Sequence, residues 1–380
     1  MTGVAIVAAR RTPIGTAGHG LAGCSAVQLA AAVLPPVLAD AGLAAADVAE
    51  VVLGNCLGPG GDVARVAALQ AGLGEGVPGL TVDRQCGSGL AAATVGAALL
   101  SGLPECAVVL AGGAESASTA PWRYWPPVGD RPPVRYQRAP FAPAALGDPE
   151  MGAAADHVAA LGQVSRERQD GYAARSHRLA VAARQHGRFE AELVPVGGLA
   201  ADERPRPGLT PARLARMRPV FTAGGTATAG NSCGISDGAA VVALVSEAER
   251  RRRGLPGLRV VASATAGVSP RVPGLGLVPA VRAALDRAGI GLDDLAVIEL
   301  NEAFAGQVLA CCDELGLDPD RVCVDGGAIA LGHPWGASGA VLLVRAFSQL
   351  VRTPRDGARG LVAIAVGGGQ GVAMVVESCR

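Results

Sequence analysis

Short unbroken apolar runs alternate along the chain with longer Ala- and Leu-rich stretches at helical spacing. The runs at 4–8, 51–54, 107–111 and 240–245 read as strands buried on both faces. A second series follows at 258–264, 297–300, 322–325, 361–366 and 371–376. Helices are expected over 26–41, 89–101, 166–186, 280–288, 303–315 and 337–350. Pro35 and Pro36 fall inside the first, which should kink or break there. Each series combines strands, a Gly-punctuated turn and an Ala-rich helix, so the chain reads as two related α/β halves. Residues 119–234 interrupt them. From 121 to 149 they are rich in Pro, Arg and aromatics without periodicity, which marks a long excursion from the core. The expected division is an N-terminal half at 1–118 plus 235–250, an insertion at 119–234, and a C-terminal half at 255–380.

Half of the 380 residues are hydrophobic but only 3% are aromatic, so Ala, Val, Leu and Gly must build the interior. Small side chains suit close packing of helices on sheets. The 33 basic and 33 acidic residues cancel, which argues against a nucleic-acid footprint or a polybasic membrane surface. Every basic residue in that count is Arg, and the absence of Lys excludes Schiff-base chemistry. Residues 250–253, four arginines before Gly254, read as the last turn of a helix. No apolar run approaches the roughly 18–20 residues of a membrane span, and residues 4–9 run straight into Arg10 and Arg11, the wrong flank for a signal segment. Nine cysteines then read as free thiols, and a cytoplasmic location is expected. Cys311 and Cys312 lack metal-ligand spacing and read as core; His19, His157, His177 and His186 read as surface residues.

The candidate chemistry sits at two turns. Residues 82–92 are a β-type run that breaks at Cys86 and opens into a small-residue helix. Backbone N–H groups and the positive end of the dipole at a helix start favour thiolate. Alone, Cys86 reads as a small buried hydrophobe. Far downstream, residues 326–339 fix His333 in a turn set by Gly and Pro. A cysteine paired with a histidine is the elementary unit of thiol nucleophilic catalysis.

With these segments in view the sequence resembles the thiolases, in their acetyl-CoA acetyltransferase-like branch. The resemblance rests on residues 6–15, the Cys86 and His333 segments, 111–116, 165–170, 228–234, 301–305 and 367–371, in one order and spacing. It implies two similar halves packed as a five-layered αβαβα core, with an inserted loop domain for CoA binding and oligomer contacts. It also implies that Cys86 carries an acyl-thioester and that His333 activates it. Asn301 would hold a water that completes one oxyanion hole with His333. The N–H groups of Cys86 and Gly367 would form a second. Arg218, Cys233, Met151, Phe304 and Trp335 fall at substrate- or CoA-binding positions. The implied partners are an acyl-CoA or acyl-carrier thioester and further copies of the chain, as a homodimer or homotetramer. Coenzyme A enters as a substrate thioester, with no permanently bound cofactor and no metal.

The family's second cysteine, the acid/base for the α-proton of the second acyl-CoA, falls at Ala365. A positioned general base is worth roughly 10²–10⁴ in rate. Smaller departures are Asp83, Cys233, Pro273, Trp335 and the 121–149 excursion. The sequence therefore reads as an acyltransferase loading Cys86 from an acyl-CoA, active in C–C bond formation, with weak ordinary thiolase activity. A decarboxylating malonyl-type thioester, or an amine, alcohol or thiol acceptor, would need no cysteine base. The alternatives are a fully active acetyl-CoA C-acetyltransferase with another group as base, and a non-catalytic CoA-binding subunit.

Overall fold

The computed structural model describes residues 3–380; residues 1 and 2, with which the expected N-terminal half begins, lie outside the described residues. The main strands are β1 (Val4–Arg11), β2 (Val48–Gly54), β3 (Gly79–Val82), β4 (Val108–Ser116), β5 (Ser236–Ser246), β6 (Gly257–Gly267), β7 (Leu295–Leu300), β8 (Arg359–Val366) and β9 (Gln370–Cys379). They hydrogen-bond in the order β7-β8-β9-β6-β1-β5-β4-β2-β3. β1 meets β6 only at Ala5–Arg259 and Ile6–Leu258, which nearly divides the path into two sheets. The order β2-β4-β5-β1 on one side recurs as β7-β8-β9-β6 on the other. Each begins with a parallel pair and continues antiparallel. The two halves are one topology used twice.

The longer helices are α1 (Ala26–Asp40), α2 (Val63–Gln70), α3 (Ser88–Leu99), α4 (Met151–Leu161), α5 (Arg166–Gln185), α6 (Leu277–Ala288), α7 (Ala305–Leu315) and α8 (Trp335–Phe347). α3 and α8 touch strands of both sheets and form the middle layer. In β5, Ala240, Val242 and Leu244 face that layer, while Ala239, Val241, Ala243 and Val245 face outward with α1 and α2. In β9, Val372, Met374 and Val376 face inward, and Ala373 and Val375 face α6. Burial on both faces is why the strands read as unbroken apolar runs. The result is the five-layered αβαβα core.

Some expectations give way. A strand at 322–325 does not form: Val322 makes one isolated bridge to Ile298, and the left-handed Cys323 (φ 47°) and Gly326 (φ 84°) turn the chain away. α1 runs unbroken through Pro35 and Pro36. Both prolines lie on its outward side, while Val33, Leu34, Val37 and Leu38 are buried and hold the helix against the sheet. His177 is buried rather than exposed, and its Nδ1 accepts the Arg206 N–H at 3.2 Å. The arginine run ends a short helix, Glu247–Arg253, at Gly254 and pairs with Glu247 and Glu249. The 121–149 excursion carries a small exposed hairpin, Arg123–Trp125 with Val134–Tyr136.

A buried ion cluster ties the insertion to the core. Arg11 pairs with Glu192 at 2.8 Å and Asp202 at 2.7 Å, and Arg345 of α8 pairs with Glu192 and Asp325 at 2.5 Å each. Burial alone would raise the Glu192 carboxyl, but Arg345 and Arg11 outweigh it and hold it below the usual glutamate range. A depressed carboxyl stabilises above its unfolded value, and that stability is lost as pH falls through the folded one. Glu192→Gln should lower unfolding free energy by about 3–5 kcal/mol, because two guanidinium groups lose their buried partner. Urea titration of both proteins at neutral pH measures this, and the difference should shrink in acid.

Candidate active site

The turn before α3 is held by its own side chains. Asp83 Oδ1 accepts the Gln85 N–H at 2.8 Å, and Gln85 sits at a left-handed φ of 46°. Ser88 Oγ accepts the Arg84 N–H at 2.7 Å and donates to the Gln85 carbonyl at 2.6 Å. Cys86 therefore stands two residues ahead of the helix, and its own backbone N–H and that of Gly367 act to lower its thiol's pKa. A Cβ on Gly87 would lie 2.7 Å from Val366 Cγ2, so only glycine lets this turn close onto the end of β8. Burial outweighs the two N–H groups and pushes the thiol up to about 12. The thiolate favoured by the helix start is thus not the resting form.

His333 occupies the equivalent place before α8. Its N–H donates to the Gly234 carbonyl at 3.3 Å and to Ser236 Oγ at 3.1 Å. Ring Nδ1 lies 2.6 Å from Ser338 Oγ, and Nε2 lies 3.5 Å from Asn301 Nδ2. With Asn301 donating to Nε2, the ring proton belongs on Nδ1, shared with Ser338. The ring is buried, and burial pulls its pKa down to about 4, so it is a neutral base near pH 7.

Glycines bring the two turns together. A Cβ on Gly89 would lie 2.9 Å from Ala340 N, one on Gly339 2.4 Å from Leu90 N, and one on Gly113 2.0 Å from the Gly336 carbonyl. α3 and α8 thus meet backbone to backbone at their N-terminal ends. Buried Glu115 clamps the same place, accepting from Asn55 Nδ2 at 3.0 Å and from the N–H groups of Cys56 (3.1 Å), Leu57 (3.2 Å) and Gly336 (3.1 Å). The 228–234 loop is folded by Asn231, whose Oδ1 accepts the Thr228 N–H at 2.7 Å and whose Nδ2 donates to Asp170 at 3.0 Å. Cys233 donates its N–H to Ala303 O at 3.0 Å.

Of the residues expected at the site, His333 and Asn301 are joined directly, Gly367 acts on the Cys86 thiol, and Cys233 is set between the 301–304 loop and the His333 turn. Phe304 packs edge-on to Phe221 with centroids 5.7 Å apart, and its backbone bridges Ser232. Met151 and Trp335 begin α4 and α8, both part-buried. Arg218 is exposed, beyond the short helix Pro211–Leu214. Ala365 is part-buried near the end of β8, paired with Gly371. Sequence reasoning missed Glu115, Ser338, Cys56 and Arg204, whose guanidinium lies against Gly234 in the 228–234 loop. Ser338 could have been found, five residues beyond His333 on a helix; Arg204 carries no sequence signal. Among the described residues no group of three His, Cys, Asp or Glu could hold a metal ion.

A family model described as thiolase, N-terminal domain, matches residues 4–248, and one described as thiolase, C-terminal domain, matches 255–378. The chain is 44% identical to an acetyl-CoA acetyltransferase of Pseudomonas aeruginosa, over 99% of each sequence. It is 42% identical to one of Shinella zoogloeoides, over 98% of each. The crystal structure of the Bacillus anthracis acetyl-CoA acetyltransferase superposes with a TM-score of 0.90 at 36% identity, covering 100% of this chain and 99% of that one.

A thiol near 12 holds little thiolate at neutral pH. Alkylation of Cys86 by iodoacetamide, followed by peptide mass spectrometry, should accelerate about tenfold per pH unit from pH 7 to 10. A plateau near pH 8 would contradict the burial argument.

Proposed function

This chain belongs to the thiolase family and is an acyltransferase, and from that premise we propose that it forms an acyl-thioester on Cys86 from an acyl-CoA and delivers the acyl group in C–C bond formation. The observation that supports this most is the placement of Cys86 and His333 two residues before α3 and α8, helices whose N-terminal glycines bring the two turns together. Neutral His333 takes the thiol proton as the sulfur attacks the thioester carbonyl. The oxyanion is held by the two N–H groups, a contribution on the order of 3 kcal/mol per donor. The CoA thiolate then leaves with the proton. Asn301, beside the unprotonated Nε2 of His333, holds the water that donates to the acceptor's oxygen. Met151, Phe304, Trp335 and Cys233 contact the acyl-pantetheine arm, and exposed Arg218 meets the CoA nucleotide. The active form is a homodimer or homotetramer in the cytoplasm.

Ala365 makes ordinary thiolase activity weak, since its methyl group moves no proton. A second reading, a fully active acetyl-CoA C-acetyltransferase using another base, is favoured by the similarity to the Pseudomonas aeruginosa and Shinella zoogloeoides acetyl-CoA acetyltransferases. Intact mass after incubation with acetyl-CoA, a longer acyl-CoA or malonyl-CoA should show one acyl group on the wild type and none on Cys86→Ala. No adduct from any donor would end the acyl-transfer reading. Ala365→Cys should raise acetoacetyl-CoA thiolysis by roughly tenfold or more, a modest share of what a positioned base supplies. Unchanged thiolysis would favour the second reading.

A further inference from the structure

We propose that Glu299 is the proton store of His333: as the ring takes the Cys86 proton at Nε2, the proton on Nδ1 passes through Ser338 and one water to the Glu299 carboxylate. It returns as CoA leaves. The inference rests on the acyl-transfer reading of Cys86 and adds a positioning residue to it.

Chain geometry brings the parts together. Ser338 and Arg345 stand seven residues apart on α8, about two helical turns, and so share one side of it. Glu299 and Asn301 are two apart in extended chain, since the Asn301 N–H continues the β7–β8 ladder to Ala363 O at 3.0 Å. They share a side as well. Where those two sides meet, beside His333, lies a cavity of about 10 Å³ lined by Glu299, Asn301, Ser338 and Arg345, with apolar neighbours such as Leu331 and Val341. Its lining residues are all buried, so it is internal. A space of that size has room for one water.

The polar groups at the cavity are left with unused bonds. Ser338 Oγ accepts the ring proton of His333 at 2.6 Å, and its own hydroxyl proton has no acceptor among the described residues. Arg345 spends Nη1 on Glu192 and Nη2 on Asp325, while its buried Nε has no partner among the described residues. Glu299 accepts from Gln349 Nε2 at 2.6 Å and forms no ion pair among the described residues. A buried water bridges polar groups left in this way. The neighbouring carboxylates are already engaged. Glu302 accepts from Ser176, Tyr172 and the Ile329 N–H, and Asp325 pairs with Arg188 and Arg345.

The electrostatics suit a store. Burial pushes the Glu299 carboxyl up to about 7, against Arg345 of α8 and the Gln349 bond, while Asp325 and Glu302 add to the rise. Cys323, from the loop after β7, faces it as a neutral thiol. His333, held near 4 by burial, is a poor site for a second proton at neutral pH. The transfer balances. The Cys86 S–H bond breaks and an Nε2–H bond forms; the Nδ1–H bond breaks, Ser338 and the water each pass one proton on, and an O–H bond forms on Glu299. When the CoA sulfur takes the Nε2 proton, the carboxyl proton returns by the same path to Nδ1.

The test uses the full chain and acetyl-CoA, with acid quench and intact mass giving the rate of Cys86 acetylation from pH 5.5 to 8.5. The carboxylate is the accepting form, so the wild-type rate should rise about tenfold per pH unit below 7 and level above it. Glu299→Gln still accepts from Gln349 but takes no proton. It should be roughly 10- to 100-fold slower at pH 8, within what a proton acceptor supplies, and lose the inflection. Glu299→Asp should keep the inflection. Ser338→Ala cuts the path at its other end and should also lose it, and this variant decides the matter if Glu299→Gln does not fold. A wild-type rate without an inflection near 7, an inflection that persists in Glu299→Gln or in Ser338→Ala, or equal profiles in Glu299→Gln and Glu299→Asp each overturns the relay while Cys86 remains the acyl carrier. No wild-type adduct overturns the acyl-transfer reading itself.

Discussion

The molecule depends on two helices touching through their backbones. α3 and α8 lie between the sheets, and Gly89, Gly336 and Gly339 at their N-terminal ends, with Gly113 of β4 against them, leave no space for a Cβ. Glycine inside a helix costs roughly 0.5–1 kcal/mol against alanine. Burial of nearly all of α8 offsets that cost. What the contact secures is the separation of the turns that carry Cys86 and His333. Because those turns sit at matching places in the two repeats, one helix pairing aligns both.

Within that frame, the site's electrostatics follow from a contest between burial and a few donors. Burial wins at Cys86 and His333, leaving a neutral thiol and a neutral imidazole rather than an ion pair. The N–H groups at the sulfur are then free to respond to charge that develops during reaction, which is when fixed donors are most effective. At Glu192 the outcome reverses, because two guanidinium groups outweigh the same penalty.

Much of this was legible in the sequence. Buried strands announce themselves as apolar runs when both faces are covered, and all but one of those expected are present. The exception, at Val322, failed because a left-handed Cys323 has no sequence mark. Cys86 and His333 stood out because Gly and Pro set their turns. Glu115, Arg204 and buried His177 did not. Their partners come from remote segments, and a charged or polar residue reads as surface until those partners are known. The prolines of α1 show the converse, a local rule overridden by packing.

One feature of the buried ion cluster reaches beyond stability. Thioesters acylate unprotonated amines without any enzyme, and a protein that handles them is exposed to its own reagent. The cations of the cluster are Arg11 and Arg345, and the sequence contains no lysine. A guanidinium stays protonated and offers no nucleophilic lone pair. The charges that hold the insertion to the core are therefore chemically inert to the class of compound this family turns over, so the enzyme's side chains present no ε-amine on which self-inflicted acylation could accumulate.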